Sequence, residues 1–165
     1  MAKESVARVL NHIGLAVPDL DAALAWYRDV LGFELLTAPV EMRADDPELG
    51  EALVSMRGPR VRHFRIAHLT MGNGVGLQLF QFIDPAPVPV DGSVFWRTGF
   101  SHICVTAPDI EALAAEIAAR GGRRSPVFRA IPGRPYAAAY CADPWGNAVE
   151  INSHAYVETR SFLAD

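Results

Sequence analysis

Residues 10–22 read LNHIGLAVPDLDA, and residues 99–112 read GFSHICVTAPDIEA. A shift of ninety positions, without a gap, carries one onto the other: His12 onto His102, Ile13 onto Ile103, Leu15 onto Val105, Pro18 onto Pro108 and Asp19 onto Asp109. Each stretch is a short apolar run that carries a histidine. A proline ends the run, and an aspartate suited to cap a helix follows. The chain is built twice, with a histidine at the same place in each half.

The order of elements repeats as well. Residues 9–17 read as a strand. Leu20, Ala23, Leu24, Tyr27 and Leu31 then recur at helical spacing, and Gly32 is placed to end that helix. A strand is expected over 33–38, a short helix after Asp46-Pro47, and strands over 61–71 and 75–82 joined around Gly72-Asn73-Gly74. The stretch DPAPVPVDGSVFWRT, residues 84–98, is proline-rich, lacks a period and reads as a linker. Beyond it come a strand over 101–107, a helix capped by Asp109, and strands over 123–129, 137–142 and 147–152. The expected organisation is a first module over 1–83, a linker over 84–98, a second module over 99–155 and a tail over 156–165.

Composition bounds the function. Half of the 165 residues are hydrophobic, 21% are charged and the net charge is −4, which describes a folded globular chain. There is no run of Lys and Arg, so nucleic acid and anionic membranes are not expected partners. No apolar stretch reaches the roughly 18 residues of a membrane span, and the N-terminus carries no signal-peptide core. Two cysteines, Cys104 and Cys141, make no disulfide framework; both lie in apolar strand-like runs and read as buried, inert thiols. A cytoplasmic setting is expected.

A second equivalence lies at the end of each half. A shift of seventy-two positions carries Gly74 onto Gly146, Leu77 onto Val149, Gln78 onto Glu150 and Leu79 onto Ile151. An amide and a carboxylate thus sit in otherwise apolar strands, GLQLF and AVEIN, where a polar group is costly unless satisfied. His12, Gln78, His102 and Glu150 make four donors in two repeat-related pairs. If the halves pack about a pseudo-twofold axis, all four converge. Imidazole, amide oxygen and carboxylate together suit a divalent first-row metal and leave coordination positions for water or substrate. Each residue alone reads as structural; the repeat is what selects the four together.

These features carry a resemblance. The start HIGLAVPDLD (12–21), the helix end AWYRDVLGF (25–33) and DPWGNAVE (143–150) are similar to the vicinal oxygen chelate superfamily. That group includes glyoxalase I, methylmalonyl-CoA epimerase, extradiol dioxygenases and bleomycin-resistance proteins. The resemblance covers about residues 8–155. It implies an α+β fold of two tandem βαβββ modules whose sheets curl around a metal and substrate cavity. The family's ligand positions fall on His12, Gln78, His102 and Glu150, a set most like that of methylmalonyl-CoA epimerase. The segment 39–64 and the ending EINSHAY (150–156) are similar to a branch with cyclitol epimerases. The resemblance implies one divalent metal per site (Mn, Co, Ni, Zn or Fe), a small-molecule substrate and a homodimer.

The expected chemistry is isomerisation, epimerisation or a lyase reaction, by proton removal next to a carbonyl or hydroxyl oxygen. Glu150 is the first candidate for base. The epimerase-type enzymes carry a further glutamate on the strand before the Gln strand; here that strand reads VRHFRIAH (61–68), with no carboxylate. His68 or His63 then stands in for proton transfer if it faces the cavity. His154 follows on the Glu150 side if the last strand stays regular, with Tyr156 a further candidate for substrate contact. Phe80 and Phe82 read as cavity wall or core, Trp26 as packing, and Arg134 as a solvated loop residue or an anion clamp. Two other functions fit the same residues: a non-haem Fe(II) extradiol-type dioxygenase using two His and Glu150, and a metal-free small-molecule binding or resistance protein.

Overall fold

A computed structural model describes residues 6–88, 98–129 and 131–161. The chain divides into two compact units, Met1–Val88 and Pro89–Asp165, the first and second modules. Both are α+β, with helices packed on an open sheet. No helix among the described residues is long and apolar enough to cross a membrane.

The first module runs β1 (His12–Ala16), α1 (Leu20–Leu31), β2 (Glu34–Arg43), α2 (Gly50–Arg57), β3 (His63–Thr70), β4 (Gly76–Asp84). Its sheet order is β1-β4-β3-β2, with β1 parallel to β4 and the other pairs antiparallel. Helix α1 begins where Asp19 Oδ1 accepts the Ala22 N–H at 3.0 Å. It stops at Gly32, whose φ of 68° is a left-handed conformation that costs glycine nothing. The helix buries Leu20, Ala23, Leu24, Tyr27 and Val30 and packs on β3 and β4. There Ala67, Leu69, Leu77 and Leu79 are at most 1% exposed. Each large side chain buried this way stabilises the fold by about 1.5–3 kcal/mol. Strand alternation then turns His68, Gln78 and Phe80 to the opposite face. Helix α2 covers one end of that face, where Leu53 joins Met42, Phe64 and Phe80 in a separate cluster.

The second module runs β5 (Ile103–Thr106), α3 (Ile110–Ala119), β6 (Ala138–Ala142), β7 (Ala148–Asn152), α4 (Tyr156–Arg160). Its sheet order is β5-β7-β6, again with the first strand parallel to the last. Asp109 Oδ1 accepts the Ala112 N–H at 3.0 Å, matching the Asp19 cap. Helix α3 packs on β6 and β7.

The two sequence shifts reappear as one register. Ile13 pairs with Leu77 and Leu15 with Leu79; their counterparts Ile103–Val149 and Val105–Ile151 also pair. His68 lies beside Gln78, and at the equivalent place Tyr140 lies beside Glu150.

Several expectations are corrected. The strand expected over 123–129 is only two isolated bridges, Arg123 to Ala142 and Phe128 to Ala138. Pro126 has no N–H to give a ladder, and Ser125 Oγ accepts the Tyr140 N–H at 2.9 Å instead. Strand β2 runs past the expected end at 38, through Pro39, to Arg43. It lies at the sheet edge and its register shifts between Leu35 and Val40, where a proline is tolerated. The helix after Asp46-Pro47 starts later, at Gly50; Asp46 Oδ1 first caps a turn by accepting the Glu48 and Leu49 N–H groups, both at 2.8 Å. The tail holds the short helix α4. Of the expected linker 84–98, residues 89–97 lie outside the described residues.

Candidate functional site

In the first module, His12 lies opposite Gly76 and Gln78 opposite Gly14. A Cβ on Gly76 would stand 3.0 Å from the His12 Cβ, and one on Gly14 would stand 3.3 Å from the Phe80 ring. The two polar side chains therefore have neighbours without side chains. His12 Nδ1 is 2.7 Å from Asn11 Oδ1. That contact occupies Nδ1 and leaves Nε2 as the nitrogen that faces away from Asn11. His12, His68 and Gln78, with Leu36 and Thr70, line a cavity of about 240 Å³. The Gly72-Asn73-Gly74 turn, closed by Gly74 N–H to Met71 O at 2.9 Å, sets the β3–β4 register that puts His68 beside Gln78.

In the second module, His102 immediately precedes β5. Its Nδ1 is 2.9 Å from Ser101 Oγ, the counterpart of the Asn11 contact under the same ninety-position shift. Its Nε2 is 3.0 Å from Glu150 Oε2. Glu150 is 6% exposed, and its buried carboxylate is satisfied by His102 and by Tyr140 on the adjacent strand. The Tyr140 ring meets His102 edge-on at 5.8 Å and stacks on Phe128 at 5.9 Å. Burial first, and then the Glu150 charge, raise the Tyr140 hydroxyl above its ordinary pKa.

The register of β7 comes from the DPWGN turn. The Asp143 carboxylate accepts the Trp145 N–H at 3.0 Å, the Asn147 N–H at 2.8 Å and the Asn147 side-chain amide at 2.7 Å. Cys104 pairs with Glu150 across β5 and β7 and is exposed; only Cys141 is the buried thiol expected of both. The Asn152 amide donates to Cys104 Sγ at 2.9 Å. Desolvation of the sulfur outweighs that bond and pushes the thiol up to about 11, with the Glu150 charge adding to the rise, so it stays protonated at neutral pH. A cavity of about 120 Å³ is lined by Glu150, Asn152, Tyr140, Tyr136, Phe128 and Arg160, among others.

The remaining candidates fall elsewhere. His63 Nε2 pairs with Glu41 at 2.7 Å on the edge strand and does not line the cavity. Strand β7 ends at Asn152, so His154 is not carried along the Glu150 face. Its Nδ1 meets Ser153 Oγ at 2.6 Å and its ring stands edge-on to Tyr136 at 4.9 Å, behind the cavity wall. Tyr156 is 73% exposed. Phe80 and Phe82 belong to the cluster under α2, and Trp26 is core. Arg134 is exposed in its loop and does not line the cavity. Asn11, Ser101, Tyr140 and Arg160 were not singled out from the sequence. The first three are reachable by extending the two shifts, but Asn/Ser and His/Tyr share no identity that would flag them.

Among the described residues, no three His, Cys, Asp or Glu side chains gather in a group that could hold a metal. Each module brings one pair instead: His12 with Gln78, and His102 with Glu150.

Comparison with known proteins follows the fold. An ethylmalonyl-CoA/methylmalonyl-CoA epimerase of Cereibacter sphaeroides is 32% identical over 69% of this chain and 72% of its own. A 2-epi-5-epi-valiolone epimerase of Actinomyces sp is 29% identical over 88% of this chain and 79% of its own. A glyoxalase family protein from Bacillus cereus superposes with a TM-score of 0.72, at 18% identity, over 92% of this chain and 97% of that one. A mutant fosfomycin resistance protein from Listeria monocytogenes, complexed with Mn(II), superposes at 0.61 and 14% identity, over 93% of this chain and 98% of that one. Residues 9–151 match the family model itself. With that match across both modules, the chain belongs to the Glyoxalase/Bleomycin resistance protein/Dioxygenase superfamily.

Proposed function

We propose that this chain is a divalent-metal-dependent epimerase or isomerase that moves a proton on a carbon next to a carbonyl or hydroxyl oxygen of a small substrate. One observation carries the reading: each module presents, in the same register, a histidine and a polar partner, with the histidine Nδ1 engaged by the side-chain oxygen of the preceding residue. The curated relatives, two of them epimerases, support isomerisation over oxygen chemistry.

The donor set fits a metal. Two imidazoles, an amide oxygen and one carboxylate are donors that suit a divalent first-row cation. His102 Nε2 and Glu150 Oε2 are 3.0 Å apart. His12 and Gln78 of the first module and His102 and Glu150 of the second are the residues that would hold the cation, the set being completed within one chain or between two copies of it. A Nδ1 held by a neighbouring oxygen is the usual way a ligating histidine is fixed in tautomer and orientation.

When bound, a divalent cation supplies positive charge that stabilises an enolate as it forms. The rest falls to side chains. Glu150 takes the proton from the substrate carbon, and the Tyr140 hydroxyl holds the carboxylate in place. His68, beside Gln78 in the first cavity, is the candidate for the group that returns a proton. His154, whose ring stands edge-on to the cavity-lining Tyr136, is a further candidate for substrate contact.

The test is solvent exchange. Chain reconstituted with Mn(II) or Co(II) in D₂O is given a panel of α-hydroxy ketones and acyl thioesters. Deuterium should enter at the carbon next to the oxygen, and Glu150→Gln should abolish it. Exchange absent across the panel, or undiminished in Glu150→Gln, contradicts the reading.

A further inference from the structure

The cavity of the second module has features the proton-transfer chemistry does not use. Its inner end is Glu150 and Asn152 of β7, and its aromatic walls are Phe128, Tyr136 and Tyr140. Helix α4 closes the remaining side with Thr159 and Arg160. Thr159 is 4% exposed, and its Oγ1 donates to Tyr156 O at 2.9 Å. Burial of Thr159 seats α4 on the module, and the next residue, Arg160, is exposed, with its guanidinium 6.0 Å from the Tyr156 ring centroid, and lines the cavity. At about 120 Å³ the space is well below a complete ligand site of about 300–1,000 Å³, so it suits one end of a molecule.

Aromatic walls with a single guanidinium select a flat or short oxygenated group that ends in a negative charge. Guanidinium recognises carboxylate and phosphate alike through paired N–H donors. The chain carries a net charge of −4 and does not attract anions as a whole, so such recognition has to be local.

We propose that this cavity is the substrate's anion subsite: it holds a terminal carboxylate or phosphate that Arg160 reads, while the rest of the molecule extends out past Glu150. The assignment rests on the epimerase reading for the identity of that molecule, but the subsite itself can be tested without turnover.

The test titrates the full chain, without added metal, with inorganic phosphate and separately with lactate, following backbone amide signals. Saturable shifts confined to Tyr136, Tyr140, Asn152 and Arg160 are expected. Arg160→Gln should weaken binding roughly ten- to hundredfold and Arg160→Lys less. The tighter of the two probes identifies phosphate or carboxylate as the group read. Arg134→Gln, outside the cavity, should bind as the parent does. Equal affinity in Arg160→Gln, or shifts elsewhere, overturns the proposal. Binding that depends on Arg160 in a chain without solvent exchange would remove the epimerase reading and leave the subsite standing. Exchange with Arg160-independent anion binding would do the reverse.

Discussion

Asn11 and Ser101 do for His12 and His102 what the ring nitrogens cannot do alone. Each sits one residue ahead and engages Nδ1, at 2.7 and 2.9 Å, so Nε2 is the nitrogen left to meet Gln78's or Glu150's side of the site. Supporting partners of this kind are worth about ten- to hundredfold in metal affinity. Asn11→Ala and Ser101→Ala should each lose that much in a chelator competition assay while melting as the parent does. Unchanged affinity would mean the contacts are incidental. The four candidate donors were legible in the sequence because the repeat selects the same two positions twice. Tyr140 was not, because the residue at its equivalent position is His68: same register, different chemistry. Arg160 gave no signal, since a five-residue helix has no period to read.

Helix α1 is held to its sheet by burial and by one ion pair. Arg65 Nη1 and Nη2 meet the two Asp21 oxygens at 2.9 Å each. That guanidinium holds the Asp21 carboxyl below its ordinary 3.8. A depressed folded pKa gives stability that is present above the unfolded value and lost as pH falls through the folded one. The Asp21 side chain is 68% exposed, so solvent screens the pair and its worth is at most about 1 kcal/mol. Urea melts of Asp21→Asn should show a deficit of that size near neutral pH, closing in acid as pH falls below 3.8 and through the lower value of the folded carboxyl. A deficit that persists in acid would assign the effect to packing or to the nearby Asp19 cap. Helix positions were readable because caps and periodicity are local. The expected strand over 123–129, RRSPVFR, reduces to two bridges because Pro126 has no N–H for the ladder and Ser125 Oγ takes the Tyr140 N–H. Strand β2 ran longer than its local pattern because an edge strand tolerates Pro39 at a register shift.

At the scale of the molecule, the repeat dictates both architecture and chemistry. Two modules with one register put a histidine and a polar partner on corresponding strands. The copies then diverge: the first pairs its histidine with an amide and places His68 alongside, whereas the second pairs its own with a carboxylate and places Tyr140 alongside. On the proposed reading, that asymmetry supplies two different proton carriers, Glu150 and His68. The tandem organisation was visible in the sequence because the shifts are ungapped within each motif. The cavities were not, because they are lined by residues distant in the chain, with Tyr136, Glu150 and Arg160 among them. Metal analysis of chain purified without chelator, beside His12→Ala, Gln78→Ala, His102→Ala and Glu150→Ala, tests whether both modules serve one ion. About one divalent ion per chain, with affinity reduced in all four variants, is the predicted result. Metal retained at full affinity when either module's pair is removed, or no uptake after reconstitution, would contradict it.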